Sequence, residues 1–315
     1  MAAKTDRVDV YQRVTDQIIQ AIEAGAETWE MPWHSPEAAF QYPKNVETGK
    51  AYRGVNILAL WASSYLAGYP EATWGTFKQW SDLGHHVRKG EKASTGVFWK
   101  QLDRDEAQPE LSPEGEQSSQ GARWLARAFP LFNAAQIEGY VPPPQPETPR
   151  AERIERAEDF FQALQADIRH GGGKAFYQQA HDYIQMPHFE VFQDPIAYYS
   201  TLAHEATHWS GHPSRLDRDL KGRFGSESYA AEELIAELGA AFIAADLQLA
   251  PDPRPENAAY IQSWLKVLKE DNRAIFTASS LAQKAADYLH TKQGPSAVLT
   301  PTSPHSSHGQ SILAL

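Results

Sequence analysis

His204-Glu-Ala-Thr-His208 is the segment of this 315-residue chain that most restricts how it can fold. Histidines four positions apart share one face only if the backbone is helical, at 3.6 residues per turn. The helix has a defined start, because Asp194-Pro195 supplies an N-cap residue followed by proline at the first helical position. The pattern continues to about Trp209. From one face, His204 and His208 can reach a single divalent cation at ~2.0–2.1 Å. Glu205 lies on the adjacent edge, placed to accept a proton from a water that the cation acidifies. This is the spacing of a zinc-dependent peptidase.

A catalytic zinc site needs a third protein ligand and an open position. Downstream, Gly211 and Ser214 occupy the places where a metzincin turn has glycine and histidine. His212 comes two residues early, so that route fails. The following helix, predicted over Tyr229–Leu247, offers Glu232, Glu233 and Glu237. Glu233 and Glu237 share a face, which makes Glu233 the expected ligand and Glu237 the carboxylate that orients a ligand histidine. Glu232 as ligand is the alternative. The pattern could also be a chance match, and the glutamates a solvated acidic face. Leu234, Ile235, Leu238 and Phe242 instead mark a helix that packs against a neighbour. Tyr229, with Tyr198 and Tyr199, is a candidate oxyanion-type donor to a substrate carbonyl. His181, His188 and His212 read as structural or surface residues. Two histidines and one glutamate suit Zn2+, with Mn2+ or Co2+ also accommodated.

The rest of the composition is that of a globular chain. With no cysteine there is no disulfide, zinc ribbon or thiol nucleophile. No apolar run approaches the ~20 residues needed to span a bilayer, and the N-terminus lacks the apolar core of a secretory signal. A cytoplasmic location and no membrane partner are the expectation. The net charge of −11 argues against a chain that simply coats nucleic acid. Charge is unevenly placed, however: residues 41–100 hold eight basic and four acidic residues, and six of the nine tryptophans lie within the first 100. That basic segment interleaves aromatic and cationic side chains, as in Tyr52-Arg53, Trp74, Phe77-Lys78, Trp80, Arg88-Lys89, Lys92 and Phe98-Trp99-Lys100. Single-stranded nucleic acid is held in this way, its bases stacked on rings and its phosphates tracked by Lys and Arg. Lys44, Arg53, Trp74, Lys78, Trp80, Arg88, Lys89 and Lys92 are the predicted contacts. The competing reading is that most tryptophans in so small a domain form its core.

The prolines of Val141–Arg150 mark a linker. The chain divides into residues 1–140, a linker at 141–150, residues 151–290 and a polar tail from 291 to 315. A loop insertion is expected at about 103–121. Periodicity predicts helices over Val8–Ala24, Asn56–Ala67, Thr76–Leu83, Ala151–Ile168, Glu256–Glu270 and Thr277–Leu289. Strands are predicted at Gly96–Gln101 and Leu125–Phe132, and a hairpin from Ala175–Gln179 and Asp182–Met186. The class is α+β: a small α+β domain, then a mainly helical domain with a short hairpin.

Taken together, the motifs resemble the ArdC-type antirestriction proteins of conjugative plasmids. In the first half the likeness rests on Tyr11–Ile19, Trp29-Glu-Met-Pro-Trp33, Tyr52-Arg-Gly-Val-Asn56, Trp74–Gln79, Val87–Lys92, Phe132-Asn133 and Gln136–Gly139. In the second half it rests on Leu202–Glu205, His208-Trp209, Gly211-His212, Arg215-Leu216 and Tyr229 through Gly239. The resemblance implies single-stranded DNA binding by the first half, a zincin-like second half, and protection of incoming DNA from restriction. It leaves three readings to separate. One is a DNA-binding metallopeptidase acting on a protein substrate such as a restriction-system component. Another is a binding protein whose metal is structural or silent. The third is a free-standing peptidase whose Trp-rich domain recognises protein.

Overall fold

A computed structural model describes residues 9–27, 31–33, 41–102, 123–143, 148–220, 227–249 and 258–293. The loop expected at 103–121, the middle of the proline-rich linker and the tail beyond 293 lie outside these residues.

The first half opens with α1 (Val10–Gly25), whose N-cap Asp9 accepts a hydrogen bond from the Tyr11 amide. Val14, Ile18 and Ile22 recur at helical spacing and are fully buried. Then come β1 (Lys44–Asn45), α2 (Val55–Ala67), β2 (Thr73–Gly75), α3 (Phe77–Asp82), β3 (Ser94–Leu102) and β4 (Arg123–Asn133). Thr76 and Gln79 form a reciprocal capping box that starts α3. The sheet order is β1-β2-β4-β3. β3 and β4 form a long antiparallel pair running from Ser94↔Leu131 to Leu102↔Arg123. The outer edge of β3 is blocked, because the Asn56 amide of α2 bonds both the N–H and the C=O of Val97.

The second half begins with α4 (Arg150–Ala163), followed by β5 (Asp167–His170), β6 (Phe176–Gln178) and β7 (Tyr183–Met186). The predicted helix to Ile168 ends early. Gln165 takes a positive φ of 53°, and the chain after it pairs in parallel with β7. β6 and β7 form the predicted hairpin, so the sheet order is β5-β7-β6. Arg215 locks this sheet to the helix that follows. Its guanidinium bonds Asp182 and the Trp209 carbonyl and lies 4.0 Å from the Trp209 ring centroid.

Four helices complete the half: α5 (Pro195–Ser210), α6 (Glu227–Leu247), α7 (Ala258–Glu270) and α8 (Ala274–Thr291). Asp194 caps α5 through a 2.9 Å bond from the Ala197 amide, with Pro195 in its first turn. α5 lies directly on α6. A Cβ built on Gly239 of α6 would sit 2.5 Å from Thr207 Cγ2 of α5, so the missing side chain is what allows the contact.

The two halves share one large buried core, beside two smaller clusters within the first half. Ile18, Ile22, Trp61 and Val97 of the first belong to the same buried cluster as Phe242, Trp264, Ile275 and Phe276 of the second. Each such side chain contributes ~1.5–3 kcal/mol of burial, so the shared core holds the halves together without relying on the linker. Among the described residues no helix is long and apolar enough to cross a membrane.

Two outcomes follow from this packing. Gly239→Ala is expected to destabilise the chain by ~1–3 kcal/mol through overpacking, measurable by denaturant titration. The Asp182 carboxyl is held below the usual carboxylate range, chiefly by the Arg215 hydrogen bond. A carboxyl depressed in the folded state adds stability above its unfolded value of about 3.9 and loses it as pH falls below that. Asp182→Asn is therefore expected to flatten stability against pH in the acid limb while lowering it at neutral pH by ~1 kcal/mol or less, since the carboxyl is partly screened by solvent.

Candidate metal centre

The helical turn of α5 and the Gly239 contact bring His204, His208 and Glu233 together. One donor atom from each lies within 4.8 Å of the others. His204 Nε2 is 3.4 Å from Glu233 Oε2, and His208 Nε2 is 3.7 Å from Glu233 Oε1. Ligands about a tetrahedral ion at ~2.1 Å stand roughly 3.4 Å apart, so these separations match one shared ion. The two rings, with centroids 4.9 Å apart, meet almost edge to face at 80°.

The far nitrogen of each ring faces a carboxylate. His204 Nδ1 is 3.6 Å from Glu237 Oε2, and His208 Nδ1 is 3.1 Å from Glu232 Oε1. A carboxylate there favours a proton on Nδ1 and leaves the Nε2 lone pair aimed at the shared point. Glu232, the alternative ligand, is thus on the opposite side of His208 from that point. Arg218 holds it in place, bonding both of its oxygens as well as the Thr207 carbonyl and Ser210 hydroxyl. Burial raises the Glu232 carboxyl, but the His208 and Arg218 bonds outweigh it and keep the group below its ordinary range. Burial likewise pushes Glu233 up. The His204 hydrogen bond, the His208 and His204 charges and the Tyr229 hydroxyl overcome it and hold the carboxyl at about 2. Glu233 is therefore an anion at neutral pH, as a metal ligand must be.

Glu205 is largely buried, and no hydrogen bond or ion pair engages its carboxylate among the described residues. It lies close enough to Tyr260 of α7 to raise that phenol electrostatically, after burial and Glu233. Tyr260 was not identified from sequence, because nothing local distinguishes it from the apolar stripe of α7. The Tyr229 hydroxyl bonds Glu233 and lies 3.3 Å from Tyr260 Oη, so it restrains that carboxylate from beside the three candidate ligands. Tyr198 and Tyr199 are committed elsewhere, to His170 and Glu158.

The predicted nucleic-acid contacts divide by burial. Trp74 and Trp80 are both 0% exposed. Trp74 packs with Leu60 and Leu131, and Trp80 packs with Ala134 and Ile137 while donating to the Phe132 carbonyl. Neither can stack on a base, which corrects both assignments. Lys44, Arg53, Lys78, Arg88, Lys89 and Lys92 are exposed. Arg53, Lys78 and Arg88 are paired with Asp287, Asp82 and Glu91. Exposed rings occur instead at Phe77 (58%) and Phe98 (45%). Phe98 stands across from Arg127 on β4 and meets Phe129 edge to face. Arg127 was missed because only strand register brings it beside Phe98.

Known proteins share both parts of this architecture. A family model for the N-terminal domain of anti-restriction factor ArdC matches residues 8–132, and one for a zincin-like metallopeptidase matches residues 155–281. The uncharacterized protein y4eC of Sinorhizobium fredii (strain NBRC 101917 / NGR234) is 52% identical over 285 residues, covering 90% of this chain and 92% of that one. The DNA primase TraC of Escherichia coli is 38% identical over 290 residues, which is 89% of this chain but 20% of the primase. Crystal structures of the antirestriction ArdC protein from plasmid R388, one Mn(II)-bound and one metal-free, match with a TM-score of 0.72 at 40% identity. They cover 90% of this chain and 98% of the R388 protein. With the whole of that fold and its zincin-like half both represented, the chain belongs to the ArdC family of antirestriction proteins.

Proposed function

We propose that the protein binds single-stranded DNA through its first half, hydrolyses peptide bonds at the metal centre of its second, and in this way protects incoming plasmid DNA from restriction. The observation that carries the peptidase part is the convergence of His204 Nε2, His208 Nε2 and Glu233 on one point beside an uncommitted Glu205. In this reading His204, His208 and Glu233 hold a divalent cation, Glu237 and Glu232 orient the two imidazoles, and Glu205 is the general base. When bound, the cation supplies Lewis acidity, polarising a carbonyl and lowering the pKa of a coordinated water toward ~7. Glu205 would act as the general base on the attacking water and would return that proton to the departing amine. Zinc suits the donor set. Mn2+ is supported by the R388 protein, which was solved with Mn(II), and Co2+ fits the same ligands. The substrate class is protein, with a component of a restriction system as the specific proposal.

For DNA, the reading moves from buried tryptophans to the β3–β4 face. Phe98 offers a ring for a base. Arg127, which makes no ion pair among the described residues, offers a charge for the adjoining phosphate. Lys44, Lys89 and Lys92 extend the positive surface.

Four variants test the parts separately. His204→Ala is expected to abolish stoichiometric metal in the purified protein. Glu205→Gln should retain metal, yet lose the protection of transferred plasmid DNA, scored as conjugation frequency into restricting against non-restricting recipients. Undiminished protection by Glu205→Gln would show that proteolysis is not the route and leave a DNA-binding protein with a silent metal. Phe98→Ala should keep metal and weaken binding of a fluorescent oligothymidylate roughly tenfold, since a base–aromatic stack contributes ~1–3 kcal/mol. Arg127→Ala should lower the slope of log affinity against log salt by about one. Wild-type affinity that does not change with salt would remove the phosphate contacts.

A further inference from the structure

Trp33 belongs to the first half, yet it reaches the metal centre of the second. Its indole is 1% exposed, and its Nε1–H points at Glu237 Oε1 over 3.3 Å, bridging 204 positions of sequence. The other oxygen of that carboxylate faces His204 Nδ1. A second route leaves the same ring. Trp33 packs on Trp264 with centroids 6.4 Å apart, and Trp264 stacks on Tyr260 at 6.2 Å and 18°. Tyr260 lies 3.3 Å from the Tyr229 hydroxyl, which restrains Glu233. One side chain from the N-terminal half therefore stands behind two of the three proposed ligands.

We infer that Trp33 is a positioning residue of the metal centre, so that the DNA-binding half completes the site which the zincin-like half carries. The inference rests on His204, His208 and Glu233 holding the ion. Its chemistry is specific to an indole. Trp Nε1–H can only donate, so the oxygen it meets is kept as an acceptor. Glu237, 2% exposed, is thereby oriented with its second oxygen turned to His204. That arrangement selects the His204 tautomer whose Nε2 lone pair faces the ion. Removing the donor takes one hydrogen bond from a buried carboxylate and loosens its orientation toward His204. Outer partners of this kind change metal affinity by ~10–100-fold when lost.

Trp61 supplies the control. It too is a buried indole of the first half packed against the second. Its single N–H donates to the Gln41 carbonyl at 2.9 Å, and its ring packs on Tyr42 and Phe242. The experiment measures Mn2+ and Zn2+ affinity of full-length Trp33→Phe, Trp61→Phe, His204→Ala and wild type by calorimetry and chelator competition, with the melting temperature of each metal-free protein alongside. Trp33→Phe is expected to bind roughly tenfold or more weakly. Trp61→Phe should bind as wild type even where its melting temperature falls as far. Benzothienylalanine at position 33, which keeps the ring system and replaces N–H by sulfur, should reproduce the loss without disturbing packing. Affinity unchanged in the Trp33 variants, or lowered equally by Trp61→Phe, would overturn the assignment and reduce Trp33 to a core residue. Failure of wild type to bind metal, or binding retained by His204→Ala, would instead bring down the ligand set itself, and this inference with it.

Discussion

Between α5 and α6 the protein buries four carboxylates, Glu205, Glu232, Glu233 and Glu237, against one guanidinium, Arg218. The carboxylates outnumber the guanidinium by three in a largely buried site. Burying unpaired charge costs several kcal/mol per ion even after relaxation, so such an arrangement is tolerated only if something positive completes it. Arg218 neutralises Glu232. Glu233 stands at the point where both Nε2 atoms converge, with Glu237 behind His204, and a divalent cation held there would balance much of the excess. Much else in the second half serves that geometry: the Asp194 cap that starts α5, the glycine that lets α6 approach, and the Arg218 loop that returns across both helices.

The same logic accounts for how the halves are joined. The proline-rich linker suggests independent bodies, but Trp61, Phe242, Trp264 and Phe276 make one continuous core. Tyr42 of the first half donates to the Phe242 carbonyl of α6, and Arg53 pairs with Asp287 of α8. A core of this kind keeps the orientation of the β3–β4 face to the candidate metal centre constant, so a polar contact such as Trp33 to Glu237 can persist across it.

Legibility differed from one feature to the next for identifiable reasons. α1, α2, α5 and α6 were readable because their apolar positions recur at helical spacing or because a cap opens them, and both are local properties. β5 was not, since Asp167–His170 lacks alternation and becomes a strand only by pairing with β7. Trp74 and Trp80 looked like a stacking surface because composition cannot distinguish a ring inside a small domain from one on its face. Tyr260 and Arg127 left no trace in sequence, for each acquires its neighbours through a helix packing or a strand register.

The sequence by itself determined the metal-binding pattern of α5, because periodicity alone places His204, Glu205 and His208 on one side of a helix. It also narrowed the third ligand to three glutamates of the next helix. Which glutamate faces the ion side, which stands behind each histidine, and that Trp33 reaches the site at all were decided by tertiary structure. The relative rotation and spacing of two packed helices depend on contacts such as Gly239 against Thr207, and those contacts are made between residues far apart in the chain.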